Sequence, residues 1–197
     1  METAGEKIRI LEVGRLTDKK FVNLYEMTYL DKNGRKKTWS YASRSNPPKA
    51  VTRGFDAPDA VVIVAFHEQY EKLALIREFR IPLADFQYGF PAGLVDEKEG
   101  VEDCAKRELY EETGLRVTRV RRVGPPIYSS SGMTDESVAM VYVDCTGEPS
   151  DHMTGSAEDI ETVFVSAKEA GQLCARHDIK FDLKTWLVLD AFAASTP

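Results

Sequence analysis

Cysteine is scarce: the 197 residues hold three, Cys104, Cys145 and Cys174, far apart and with no CxxC pair or Cys/His cluster. An odd, scattered set excludes a disulfide frame and a structural zinc site, and reads as free thiols in a reducing compartment. Long apolar runs are lacking too. The opening METAGEKIRI has no stretch of the kind a signal peptide needs, and no later stretch reaches the roughly 20 apolar residues that span a bilayer. The expectation is a cytoplasmic protein with no membrane partner. Basic charge is also in deficit. Lys and Arg number 26 against 32 Asp and Glu, a formal net charge of −6, without the basic stripe of a nucleic-acid binder. His67, His152 and His177 stand apart and match no metal-ligand spacing. There is no internal repeat and no low-complexity tract.

What remains is ordinary for a globular chain, with 43% hydrophobic and 29% charged residues. The length suits one domain with a full core and a small appended element. Residues 21–29 form an aromatic-rich strand pattern, Asp31-Lys32-Asn33-Gly34 is a turn with the Asn-Gly hairpin signal, and residues 37–43 give a second strand. Ser45-Asn46-Pro47-Pro48 then punctuates the chain, so a hairpin unit at 1–47 and a main domain at 48–197 are expected. Ala60-Val61-Val62-Ile63-Val64-Ala65-Phe66 reads as a strand covered on both faces. Further strands are expected at 72–79, 117–123, 138–143 and 162–165, with helices at 100–113, 167–176 and 183–194. That mixed order predicts an α/β or α+β sandwich.

The informative segment is residues 93–115, GLVDEKEGVEDCAKRELYEETGL. Residues four apart share a helix face, so Glu108 and Glu112 point the same way and Glu111 lies close by. Carboxylates gathered like this repel one another unless a cation sits between them. Mg²⁺ suits the task, because it takes hard oxygen ligands and bridges phosphates. A Glu-rich helix by itself is more often a solvated face. The whole segment, however, fits the spacing GX5EX7REUXEEXGU, with U a bulky apolar residue, at every specified position. A chance fit in a chain this long is on the order of one in ten million at average composition.

This segment resembles the signature of the Nudix hydrolases. The resemblance implies a Nudix α/β/α sandwich with an additional N-terminal antiparallel β unit, and metal-assisted water attack on a diphosphate linkage. It makes Glu108 and Glu112 metal ligands and Glu111 a further ligand or a supporting partner. Arg107 becomes the arginine that orients the glutamates, and Glu99 is structural or a helper to the metal site. Gly93 and Gly114 would serve backbone geometry. The implied cofactor is Mg²⁺, with Mn²⁺ as a substitute.

The flanking residues resemble the ADP-ribose pyrophosphatase subgroup. Phe90-Pro91-Ala92-Gly93 is similar to its PAG motif, which makes the Ala92 carbonyl a metal ligand. Ile76-Arg77-Glu78-Phe79-Arg80 resembles a strand ending in a substrate-contacting arginine, here Arg80. The segment Phe21 to Arg44 looks like the unit through which such enzymes dimerise and stack on adenine. Trp39 is the candidate stacker with Phe21 second, and Arg44 contacts the nucleotide. The resemblance therefore implies a homodimer acting on a small nucleotide sugar, ADP-ribose first, giving AMP and ribose 5-phosphate. A glutamate on a loop before the last short strand serves the subgroup as metal ligand or base, and Glu158 matches that position best; Glu161 and Glu136 are the alternatives for the base. Two positions depart from the subgroup: Ser131 stands where a proline usually precedes Gly132, and Gly89 where a glutamate is common. Both keep GDP-mannose or UDP-glucose type sugars open, beside a catalytically silent module that senses a nucleotide.

Overall fold

In a computed structural model of the chain, residues 7–150 and 159–195 are described. The backbone divides into two compact units, Met1–Asp59 with Pro126–Val138, and Ala60–Pro125 with Ala139–Pro197.

In the first unit, β1 (Arg9–Arg15), β2 (Asn23–Leu30) and β3 (Lys36–Ser43) form a three-stranded antiparallel sheet. The β2–β3 turn closes as its residues dictate. Asp31 Oδ1 accepts from the Asn33 and Arg35 amides at 2.8 and 2.9 Å, and Gly34 takes the left-handed φ of 76°. A single helical turn, α1 (Lys49–Thr52), follows and ends on Arg53, also left-handed at φ 55°. Lys49 Nζ reaches Asp59 at 2.5 Å and Ser137 Oγ at 2.8 Å, joining the two chain segments of this unit.

A seven-stranded sheet carries the larger unit, with only residues 126–128 and 137–138 of its strands belonging to the first. β4 (Ala60–His67), β5 (Lys72–Arg80), β6 (Asp85–Gly89), β7 (Ala92–Leu94), β8 (Arg116–Tyr128), β9 (Ser137–Thr146) and β10 (Ile160–Val165) run in the order β10-β5-β4-β9-β8, with β6 beside β5 and β7 beside β4. Three helices accompany it: α2 (Val101–Thr113), α3 (Ala167–Cys174) and α4 (Leu183–Ala194). The run 60–66 meets its expectation of two covered faces. Val61, Ile63 and Ala65 pack with Cys104, Ala105 and Leu109 of α2 in one buried core. Val64 and Phe66 turn the other way, since strand side chains alternate, and share a cavity wall with Leu187, Val188 and Phe192 of α4.

Two strands, β6 and β7, escape the sequence pattern because Gly89, Pro91 and Gly93 interrupt it. β8 runs past the expected end at 123, through Gly124-Pro125-Pro126. It is the outermost strand of the order, and an edge strand tolerates prolines that cannot donate to a ladder. Its neighbour β9 is almost wholly buried. His67 is buried and structural: Nε2 faces the Gly147 carbonyl at 2.9 Å, Nδ1 accepts from the Tyr70 amide at 3.2 Å, and the ring stacks on Tyr70. The three cysteines are free, Cys104 and Cys145 buried and Cys174 partly so.

Candidate active site

Helix α2 starts at Gly100 without a side-chain cap, and Glu102 and Asp103 in its first turn offset the positive end of its dipole. It stops at Gly114, whose φ of 75° only glycine adopts freely and whose amide donates back to Tyr110. Cys104, Ala105, Leu109 and Thr113 are its buried stripe, so Glu108 and Glu112 lie along the margin of that stripe.

The two carboxylates meet consecutive residues of β7. Glu112 Oε2 accepts from the Ala92 amide at 3.0 Å. The Glu108 carboxyl lies against Gly93 so closely that a Cβ built there would fall 1.9 Å from Glu108 Cδ. Gly93 is therefore glycine to admit a side chain, and not for a left-handed backbone. Helix, strand and register together gather Ala92, Glu108 and Glu112.

Arg107 organises the rest. Its Nε and Nη2 fork onto the two Glu99 carboxylate oxygens, each at 2.9 Å. Nη1 donates to Glu108 at 2.7 Å and to Glu111 at 3.1 Å, and Nη2 also reaches the Leu94 carbonyl at 3.1 Å. Such charge-assisted, two-pronged bonds are the strong ones. Arg107 holds the Glu99 carboxyl down to about 2, while burial pushes Glu108 up from its ordinary range against the pull of Arg107. Glu99 is also a brace, accepting from the Asp96 amide at 3.1 Å across the loop that precedes the helix.

Among the described residues, no three His, Cys, Asp or Glu side chains already converge as a metal centre, and Glu108 and Glu111 both accept from Arg107. The donor chemistry fits a hard cation nonetheless. Ala92, Glu108 and Glu112 can offer oxygens to a cation, and the largely buried Glu108 carboxylate is one whose burial a positive charge would offset.

A cleft of about 330 Å³ opens beside Glu112, lined by Pro149, Ser150, Ile160, Glu161 and Thr162. Glu161 thus stands near Glu112, with Oε2 3.5 Å from Arg77. Glu158 lies outside the described residues. Arg80 closes β5, with Nη1 3.0 Å from Glu78. Glu136 and Arg44 belong to the first unit, where Arg44 Nε donates to Glu136 at 2.7 Å and Ser129 Oγ to its other oxygen at 3.0 Å. In that unit Trp39 is 52% exposed with its indole nitrogen donating to the Gly132 carbonyl at 3.2 Å, and Phe21 is 65% exposed. Sequence reasoning passed over Tyr41 and Arg53, which line a cavity with Trp39. The one available signal was that Tyr41, two residues from Trp39 in a strand, shares its face.

A sandwiched sheet bearing this loop and helix defines a class, and the family model for the NUDIX domain matches residues 56–187. The chain belongs to the Nudix family, as a mixed sheet with helices and an N-terminal antiparallel three-stranded sheet. It is 34% identical over 143 residues to an uncharacterised Nudix hydrolase of Schizosaccharomyces pombe, covering 71% of this chain and 66% of that protein. It is 28% identical over 143 residues to the ADP-ribose pyrophosphatase of Saccharomyces cerevisiae, covering 71% and 60%. The match thus spans less than two thirds of either relative's length. A crystal structure of an ADP compounds hydrolase shares the fold, with a TM-score of 0.71 and 19% identity over 98% of this chain and 97% of that one.

Proposed function

We propose that the chain is a Mg²⁺-dependent hydrolase of the pyrophosphate bond of a nucleoside diphosphate sugar, with ADP-ribose the first substrate. The observation that carries this is the meeting of Glu108 and Glu112 with Gly93 and Ala92 on β7, beside the Arg107 fork. The likeness to an ADP-ribose pyrophosphatase supports the choice of substrate.

In this reading Glu108, Glu112, the Ala92 carbonyl and Glu158 would hold the divalent ions, with Glu111 as a further ligand or supporting partner. When bound, Mg²⁺, or Mn²⁺ in its place, supplies positive charge that offsets the diphosphate and polarises it for attack. Arg107 fixes the carboxylates, and Glu99 fixes Arg107. A carboxylate takes the proton of the attacking water. Glu158 is the candidate by resemblance, with Glu161, which lines the cleft beside Glu112, and Glu136 as the alternatives. The new bond joins water oxygen to phosphorus and the bridging P–O bond breaks, giving AMP and ribose 5-phosphate. Trp39, Phe21, Arg44 and Arg80 are the proposed substrate contacts.

We also read the protein as a cytoplasmic homodimer. The free thiols fit a reducing compartment. Ile10, Leu11, Phe21, Val22 and Leu24 leave apolar surface on the first unit, which fits a partner copy.

The test is AMP release from ADP-ribose with Mg²⁺, followed by chromatography, with Glu112→Gln alongside. Turnover that falls about a hundredfold or more in the variant is expected. A chain that leaves ADP-ribose intact refutes the substrate. Turnover of a GDP- or UDP-sugar instead would then favour the second reading, which Gly89 and Ser131 support.

A further inference from the structure

The larger unit carries a polar cavity apart from the cleft beside Glu112. The segment after α3 is tied to the side of β6 that β5 leaves open. There the Tyr88 amide donates to the Lys180 carbonyl at 2.8 Å, and Phe181 bridges to Tyr88 as one more rung. Arg176 and Lys180 are thereby laid against Asp85 and Phe86, around a space of about 310 Å³. Arg77 completes the wall from β5, where it stands opposite Tyr88 in the β5–β6 ladder.

Three cations and two carboxylates line this cavity, and they are not equally engaged. Arg176 forks onto Asp178, with Nε at 2.9 Å, and Lys180 Nζ closes on Asp85. Each carboxylate is thus matched by its own cation. Arg77 is held differently. Its guanidinium lies over the Phe86 ring, 3.7 Å from the centroid. Its one ion pair among the described residues is with Glu161 Oε2 at 3.5 Å, longer than an ordinary N–H···O bond. Glu161 faces it across the β5–β10 ladder with 65% of its side chain exposed.

We propose that this cavity is a phosphate site, taking a phosphate monoester or the free ion on Arg77, with Arg176 and Lys180 as flanking positive charge. A guanidinium preset on a ring and short of partners presents the fork that phosphate oxygens match. Asp85 and Asp178 do not bar an anion, because each is already neutralised. Glu161 competes with the phosphate for Arg77, and the same Glu161 lines the cleft beside Glu112. Occupation of the cavity therefore releases a side chain of that cleft from its ion pair. The site stands apart from the proposed hydrolysis and requires no turnover.

The test is calorimetric titration of the full chain with inorganic phosphate, ribose 5-phosphate and ribose, in a chelating buffer that keeps divalent ions from the carboxylates of α2. Both phosphates should bind and ribose should not. Tighter binding of ribose 5-phosphate assigns the site to an ester, and equal affinities assign it to the ion. Arg77→Gln should weaken phosphate about tenfold, the scale of one charge-assisted hydrogen bond. Its melting temperature should hold, since the ion pair it breaks is exposed. Glu161→Gln should act the other way and tighten phosphate about two- to fivefold, because it removes the competitor. Arg35→Gln, in the exposed β2–β3 turn, is the control for net charge and should leave the affinity unchanged. The proposal is overturned if neither phosphate binds, if Arg35→Gln loses as much affinity as Arg77→Gln, or if Glu161→Gln binds phosphate more weakly than the parent.

Discussion

Replacing Gly93 by alanine puts one methyl group where the Glu108 carboxyl lies, 1.9 Å from Cδ and 2.0 and 2.3 Å from its oxygens. The obstacle is the far end of a flexible side chain, so the backbone stays and the carboxyl moves. In moving it gives up the 2.7 Å bond from Arg107, a charge-assisted contact worth about 1.5–3 kcal/mol. Arg107 keeps its fork to Glu99 and its contact with Glu111. For a chain of this size the expected fall in Tm is about 3–12 °C. Activity should suffer far more, because displacing a site group by about 1 Å costs on the order of a hundredfold in rate. Gly100→Ala is the control, since its Cβ would meet Asp103 at an ordinary 3.8 Å, with a cost of about 1 kcal/mol at most. Circular dichroism, a thermal melt and AMP release read the outcome. A folded Gly93→Ala chain that turns over ADP-ribose like the parent refutes the reasoning, and so does a chain that loses its fold outright.

Two further outcomes follow from other parts of the molecule. At the start of α3, Ser166 and Glu169 cap each other, and the Ser166 amide above all holds the Glu169 carboxyl down to about 2. A depressed folded value stabilises above the ordinary carboxylate range and is lost as pH falls from about 4.5 toward about 2. The parent should therefore exceed Glu169→Gln in urea midpoint near neutrality and converge with it in acid; a gap that does not shrink between pH 5 and pH 3 would contradict this. Burial pushes the Cys104 and Cys145 thiols up to about 12, whereas Cys174 is only partly covered. Iodoacetamide on the native chain should add one group, at Cys174, by mass spectrometry. Equal labelling of all three would refute the assignment.

Much of the site was legible because its chemistry is local. The four-residue spacing of Glu108 and Glu112 and the stop at Gly114 sit within one helix, and helix periodicity carries them without help. The reason for Gly93 was not legible. A glycine in a strand signals a turn or a close approach equally, and only the register of β7 beneath α2 decides which. The sequence does not decide between a structural and a helping role for Glu99, because its pairing with Arg107 is set by how the loop folds back. Tyr41 and Asp135 lie far apart in sequence and share a wall only through tertiary folding. The end of β8 was misplaced for a different reason. Pro125-Pro126 argues against a strand in general, and that argument lapses where the strand has one open side.

That open side has a consequence for self-association. Arg116, Arg119, Arg121 and Arg122 lie along β8 ahead of Pro125 and Pro126. Arg121 is spent on Asp144, but an incoming strand would still meet the remaining arginines and then two consecutive prolines with no amide hydrogens to share. The border of the sheet is thus fenced against growth by strand addition, the commonest route from a folded sheet to a fibre.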